Sequence, residues 1–194
     1  MKILSFACFL AVGLSSGVGL HEQAAAPATA TAPAAPAIKV EDQPAFSVIG
    51  VSVVTSAAKE SGGDGEIPKL WQKALGEGLL EDVPSRAGGG LIAVYSDFAK
   101  GDPTTYTYTL GYKVSSTAKV PDGFVAISIP AGKYAIVPSE EGALPDVLPK
   151  VWKGIFAMTP AQLGGERAFK ADYEEFAEGM DWQNTQVNLH LGLK

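Results

Sequence analysis

Ile67-Pro68-Lys69-Leu70-Trp71 recurs as Leu148-Pro149-Lys150-Val151-Trp152, 81 residues further along the chain. Two more segments share that offset: Tyr95 aligns with Phe176, and Leu110-Gly111-Tyr112-Lys113 aligns with Leu191-Gly192-Leu193-Lys194. Solenoid repeats have periods of roughly 20 to 50 residues, so a unit of about 80 used twice points instead to two fused copies of a small αβ module. Such a pair forms one domain with a cleft along its internal two-fold.

Both copies read in the same order. In copy one, about 46–114, the β-branched run Phe46 to Thr55 is a strand and Ser61-Gly62-Gly63-Asp64-Gly65 a turn. Ile67, Leu70, Trp71, Ala74 and Leu75 follow at helical spacing, with Pro68 suited to a first turn. Leu91 to Ser96 is a second strand, and Thr104 to Val114 alternates so that Tyr106, Tyr108 and Tyr112 share one face of a third. In copy two, about 124–194, Phe124 to Val137 reads as a strand kinked at Pro130-Ala131-Gly132. Apolar helical spacing runs from Leu144 to Phe156, but Pro149 inside a helix costs about 3 kcal/mol, so the regular helix is expected from Leu148. Ala168 to Phe176 and Thr185 to Leu193 supply the last strands. The expected fold class is α+β: duplicated βαββ units with pseudo-two-fold symmetry, a joined antiparallel sheet, and two helices packed on one side.

Upstream, Met1-Lys2, an apolar run from Ile3 to Leu14 and small residues through Gly19 have the order of a secretory signal, expected over 1–23. The run is shorter than the roughly 20 residues that span a bilayer, so the mature chain is expected to have no transmembrane span. Residues 24–40, largely Ala, Pro and Thr, read as a disordered tether, leaving 41–194 as the folded domain. Export to the periplasm or beyond is the expectation. Cys8 is the single cysteine and lies within the apolar run rather than at its end, so a lipid anchor there is not expected.

The formal charge is −6, with no basic cluster, which argues against nucleic-acid binding. His21 and His190 form no pair at metal spacing, and His190 reads as structural or exposed. Gly88-Gly89-Gly90 precedes a strand rather than a helix, so it is no phosphate loop, and the serines have no evident His partner for a hydrolase triad. No metal, cofactor or catalytic residue is assigned.

Ile67-Pro-Lys-Leu-Trp71, Tyr106-Thr-Tyr-Thr-Leu-Gly111, Ile129-Pro-Ala-Gly-Lys-Tyr134 and Asp172-Tyr-Glu-Glu-Phe176 together resemble the GyrI-like small-molecule-binding domain. That domain is also the effector-binding half of AraC-type and MerR-type bacterial regulators, and the resemblance covers Phe46 to Lys194. It implies a cleft at the junction of the copies, lined by aromatics and holding a buried carboxylate that binds amphipathic, often cationic, molecules. The family's Glu, two positions before an aromatic in the penultimate strand, carries over onto Glu174, with Phe176 where Tyr is more usual. The resemblance also leaves catalysis open as an alternative, because some members hydrolyse cyclopropane-containing toxins. Where the regulators carry a helix-turn-helix, this chain has the expected signal and tether, which makes it look like a stand-alone exported form.

Glu174 and Phe176 share a strand face, and the 81-residue offset sets them opposite Ala93 and Tyr95. A carboxylate among aromatics is costly unless paired, and a cationic ligand supported by ring faces is one such partner. The plainer alternative is a solvated Glu beside Lys170 or Arg167. Asp172 shares the Glu174 side, and burial of both would raise at least one pKa. Trp71 and Trp152 are either duplicated core packing or indoles reaching the cleft floor; Tyr108 is part core and part pocket wall; Tyr134, after the kink, is a candidate for the pocket lip. The candidate ligand-binding set is therefore Glu174, Phe176, Tyr95, Tyr108, Tyr134, Trp71 and Trp152. Three readings follow: capture of an amphipathic or cationic small molecule, hydrolysis of a reactive xenobiotic with Glu174 as general acid or base, or an interaction module for an envelope protein partner.

Overall fold

The computed structural model describes residues Ala37–Lys194, so the expected signal, Cys8, His21 and most of the tether lie outside the described residues. One antiparallel sheet holds eight strands: β1 (Lys39–Gln43), β2 (Phe46–Ser56), β3 (Arg86–Ser96), β4 (Thr105–Val114), β5 (Val125–Ile129), β6 (Gly132–Pro138), β7 (Ala171–Glu175) and β8 (Asn188–Gly192). Their spatial order is β1-β6-β8-β7-β3-β4-β2-β5. That order is a palindrome of equivalent strands, β6-β8-β7 mirrored by β3-β4-β2, so the duplicated architecture read from the sequence is the one observed.

The seam joins β3 to β7, with Ala93 opposite Glu174. These two residues are also equivalent under the 81-residue offset, so the pseudo-dyad passes through this one pair. Antiparallel pairing then reverses direction on either side, and Tyr95 faces Asp172, not Phe176 as the offset alone suggested.

The offset is not uniform. Leu110 pairs with Ala93 while Leu189 pairs with Glu174, so β4 and β8 correspond at 79 residues rather than 81. A two-residue slip keeps every side chain on its original face, which is why the Leu-Gly repeat concealed it. At the other end, Gln43-Pro44-Ala45-Phe46 corresponds to Ile129-Pro130-Ala131-Gly132, and Lys39–Gln43 to Val125–Ile129, at an offset of 86 residues. The expected kinked strand is thus two strands, β5 and β6, which do not pair with each other. β5 lies on β2, and β1 lies on β6, so the copies exchange their leading strands.

Four helices complete the fold: α1 (Ala57–Ser61), α2 (Glu66–Gly76), α3 (Leu144–Ala157) and α4 (Pro160–Leu163). A short 3₁₀ turn at Leu79–Asp82 follows α2. The apolar stripe of α2 packs on the sheet through Ile67, Leu70, Trp71 and Ala74. Its N-cap, Gly65, has no side chain to cap with; Glu60 does so from α1, accepting from the backbone N–H groups of Glu66 (2.9 Å) and Ile67 (3.3 Å). A Cβ at Gly65 would lie 2.3 Å from Glu60 Oε2, so the cap requires glycine there.

Helix α3 begins at Leu144, a turn earlier than expected, and keeps Pro149 inside. The cost of about 3 kcal/mol is offset by burying Leu144 and Val147 in that first turn, at roughly 1.5–3 kcal/mol each.

The helix-covered face carries the main core, and the opposite face a smaller cluster of Val48, Ile92, Val94, Ile129, Tyr134, Ala171 and Tyr173. Phe46 of β2 meets Tyr173 of β7 there, ring centroids 5.2 Å apart, although β3 and β4 lie between. In a flat sheet three strand spacings are about 14 Å, so the sheet curls strongly away from the helices.

Candidate ligand-binding site

Strand alternation aims Asp172, Glu174 and Phe176 at the helix-covered face, together with Tyr95 of β3 and Tyr106 and Tyr108 of β4. Helices α2 and α3 bring Trp71 and Trp152 over them. Tyr95 packs on Trp152 (4.8 Å between centroids) and Tyr108 (5.0 Å), and Trp71 packs on Phe176 (5.3 Å). Six of the seven candidates therefore form one cluster around the pseudo-dyad.

At its centre Glu174 is completely buried. Its Oε1 accepts from Tyr95 Oη at 2.7 Å and from Trp152 Nε1 at 2.6 Å, while its Oε2 has no hydrogen-bond partner among the described residues. Burial pushes this carboxyl up to about 7, and the two donors only partly pull it back. Tyr95 and Tyr108 are held well above the usual phenol value, chiefly by burial and then by Glu174, so both remain hydrogen-bond donors at any physiological pH.

The two indoles sit at equivalent positions but bond differently. Trp71 Nε1 donates to Tyr108 Oη at 2.8 Å, where copy two has Val187; Trp152 donates to Glu174, where copy one has Ala93. The duplication has diverged at the two residues that answer its tryptophans. Both indoles are half-buried and carry an aromatic neighbour towards solvent: Trp182 edge-on to Trp71 (5.6 Å) and Phe156 stacked on Trp152 (5.7 Å). Sequence reasoning missed Trp182, which lies in the loop before β8 with no periodic context to mark it.

Tyr134 does not belong to the cluster. Ala135 and Val137 face the helices, so Tyr134 points to the opposite face, where it is buried on Tyr173 (5.6 Å) and donates to the Pro130 carbonyl at 2.9 Å. It is a core residue rather than a pocket lip. His190 is also on that face, stacked on Tyr173 at 4.2 Å, and burial pulls its imidazole down to about 4.

Asp172 is buried beside the cluster, yet its partner is Arg167, with the Gly192 backbone N–H donating at 2.8 Å. Burial raises both Asp172 and Glu174; mutual repulsion is not the cause. Arg167, one of the two cations that could have neutralised Glu174, is committed elsewhere.

Two surface cavities flank this centre, and neither is lined by Glu174. One, of about 490 Å³, is bounded by Leu75, Arg86, Gly88–Gly90, Leu91, Tyr112, Phe176, Met180 and Trp182. The other, of about 290 Å³, is bounded by Met158, Leu163, Arg167, Phe169 and Lys194 among others. No described helix is long and apolar enough to cross a membrane.

The chain is 28% identical over 148 residues to YobU of Bacillus subtilis, named as a candidate transcriptional regulator, covering 75% of this chain and 90% of YobU. It is 24% identical over 156 residues to the transcriptional regulator BrlR of Pseudomonas aeruginosa, covering 79% of this chain and 54% of BrlR, so it spans about half of that protein. An integron cassette protein of Vibrio cholerae superposes with a TM-score of 0.63 at 18% identity, over 81% of this chain and 96% of that one. SAV2435 bound to tetraphenylphosphonium superposes with a TM-score of 0.66 at 13% identity, over 81% and 93%. At these identities the superpositions establish a shared fold. Residues 39–192 match the family described as Cass2, integron-associated effector binding protein. The chain therefore belongs to the Cass2 family, with the GyrI-like effector-binding fold, and is a small-molecule-binding domain.

Proposed function

We propose that this protein captures a hydrophobic organic cation against Glu174, among Trp71, Trp152, Tyr95, Tyr108 and Phe176, and that it does so outside the cytoplasm. The observation that carries the reading is the Oε2 of a fully buried carboxylate, which has no hydrogen-bond partner among the described residues. A buried carboxylate oxygen without a donor is costly, and a delocalised cation with aromatic arms would neutralise it while the surrounding rings supply cation–π and apolar contact. The ligand in SAV2435, tetraphenylphosphonium, has this chemistry. Neither of these two cavities is lined by Glu174, so in this reading the ligand reaches the carboxylate by displacing Trp152, whose indole is half-buried, and its exposed neighbour Phe156.

The test is titration with tetraphenylphosphonium. Glu174→Gln is expected to weaken binding at least tenfold; unchanged affinity removes the assigned role. Export rests on the reading of residues 1–23, and the N-terminal mass of the protein recovered from its native host checks it.

Hydrolysis of a reactive xenobiotic is a second reading, favoured by one observation: a carboxyl near 7 is poised to exchange a proton at neutral pH. Product formation that disappears in Glu174→Gln would establish it, and binding without turnover would dismiss it.

A further inference from the structure

Arg86-Ala87 at the start of β3 and Arg167-Ala168 just before β7 are equivalent under the 81-residue offset. Arg86 pairs with Val114 at the end of β4, and Arg167 forms an isolated bridge with Leu193, the equivalent position just beyond β8. The residue two positions later has a left-handed backbone in both, Gly88 at φ 84° and Phe169 at φ 50°. The environments of the two arginines nevertheless differ. Arg167 is neutralised by Asp172 and lies 4.4 Å from the centroid of the Phe169 ring. In copy one the residue equivalent to Asp172 is Leu91, and the residue equivalent to Phe169 is Gly88.

Copy one thus keeps the cation, lacks the carboxylate that neutralises it in copy two, and sets it on the ring of Tyr112 in place of that of Phe169. Space is left where the ring lies in copy two: Arg86, Gly88, Gly89 and Leu91 all line the larger cavity, about 490 Å³, and a Cβ at Gly88 or Gly89 would meet nothing within 4 Å. The Arg86 guanidinium is held in place, 4.0 Å over the Tyr112 ring, with Nε donating to the Val83 carbonyl at 3.3 Å and Nη2 to that of Leu80. A guanidinium has five N–H donors, so three remain after these two bonds. Trp182, Phe176 and Met180 give the remainder of the cavity an apolar, aromatic wall. Glu178, the acidic residue on its rim, is exposed and forms no ion pair with Arg86 among the described residues.

We infer that this cavity is a second ligand site, distinct from Glu174, which takes a small aromatic monocarboxylate whose carboxylate pairs with Arg86 and whose ring lies against Trp182 and Tyr112. The ligand's carboxylate supplies what Asp172 supplies in copy two, and its ring occupies the space that Phe169 fills there. Arginine suits the role because its planar fork matches a carboxylate bidentately.

Calorimetric titration of the full chain with 2-naphthoate and with neutral 2-naphthamide tests it. Expected are saturable one-to-one binding of the acid and at least tenfold weaker binding of the amide. Arg86→Gln should bring the acid down to the level of the amide while tetraphenylphosphonium still binds within twofold of the parent, which separates this site from the one at Glu174. Leu91→Asp supplies the missing carboxylate from within and should abolish naphthoate binding. Because Leu91 is buried and that variant can fail to fold, the exposed Arg86 provides the deciding one. Equal affinity for acid and amide, parental affinity in Arg86→Gln, loss of both ligands in that variant, or no saturable binding of the acid overturns the proposal.

Discussion

Glu174 holds its proton in the folded protein up to about pH 7, whereas an ordinary glutamate releases it near 4.5. The sign of its effect on stability follows from that difference. The contribution is complete below pH 4.5, falls as pH rises towards 7, and is lost above it, where the fold carries a buried charge. A bound cation stabilises the ionised form instead, so affinity for tetraphenylphosphonium should rise with pH to about 7 and level off beyond. Glu174→Gln retains an acceptor for Tyr95 and Trp152 but cannot ionise. Thermal melts should show it more stable than the parent by a few kcal/mol at pH 8 and comparable at pH 4, while its cation binding is lost. The same site therefore sets function against stability at neutral pH. Arg167 behaves oppositely: Arg167→Gln strands the buried Asp172 and should cost about 3–5 kcal/mol in urea denaturation. Adding Asp172→Leu, which reproduces Leu91 of copy one, should recover most of that loss.

The pairing of β2 with β4 depends on two facing glycines, Gly50 and Gly111. A Cβ at Gly50 would lie 2.2 Å from the Leu110 carbonyl oxygen, and one at Gly111 2.1 Å from that of Ile49. Backbone on both sides cannot give way as a side chain would, so Gly50→Ala should cost on the order of 3 kcal/mol or more, seen as a lowered denaturation midpoint. These glycines permit the close approach with which the sheet curls. At the scale of elements, tertiary contacts override local sequence preference most often. Pro149 argued for a late helix start, but burial of Leu144 and Val147 overrode that local preference. Pro130-Ala131 read as a kink in one strand because nothing local reveals that β5 and β6 hydrogen-bond to different neighbours.

Across the whole molecule, the exchanged leading strands lie at the two edges of the sheet, and the β3–β7 seam lies at its centre. Among the described residues β1 is paired on one side only and is almost wholly exposed, whereas β3 and β7 are paired on both sides, with β7 and the Leu91–Ser96 half of β3 largely buried. Amide hydrogen exchange should therefore be slowest in β3 and β7 and fastest in β1, where opening exposes little apolar surface. Uniform protection across the eight strands would contradict this ordering.

The chain's own residues determined the duplication, the α+β class, the face on which each aromatic of β3, β4 and β7 lies, and the choice of Glu174 as the charge that breaks the symmetry. The class and the faces follow from spacing along one segment, because a strand alternates every residue and a helix repeats every 3.6. The duplication follows from the 81-residue offset between segments, and Glu174 from the resemblance to the GyrI-like domain and from its standing where copy one has Ala93. Tertiary structure alone decided that the pseudo-dyad passes through Ala93 and Glu174, that β1 and β5 change places, that Tyr134 faces away from the site, that Arg167 serves Asp172, and that Arg86 is left with a cavity. Those outcomes depend on which strand pairs with which and in what register. A two-residue slip preserves every local pattern while changing every neighbour, so only long-range hydrogen bonding and packing could select among them.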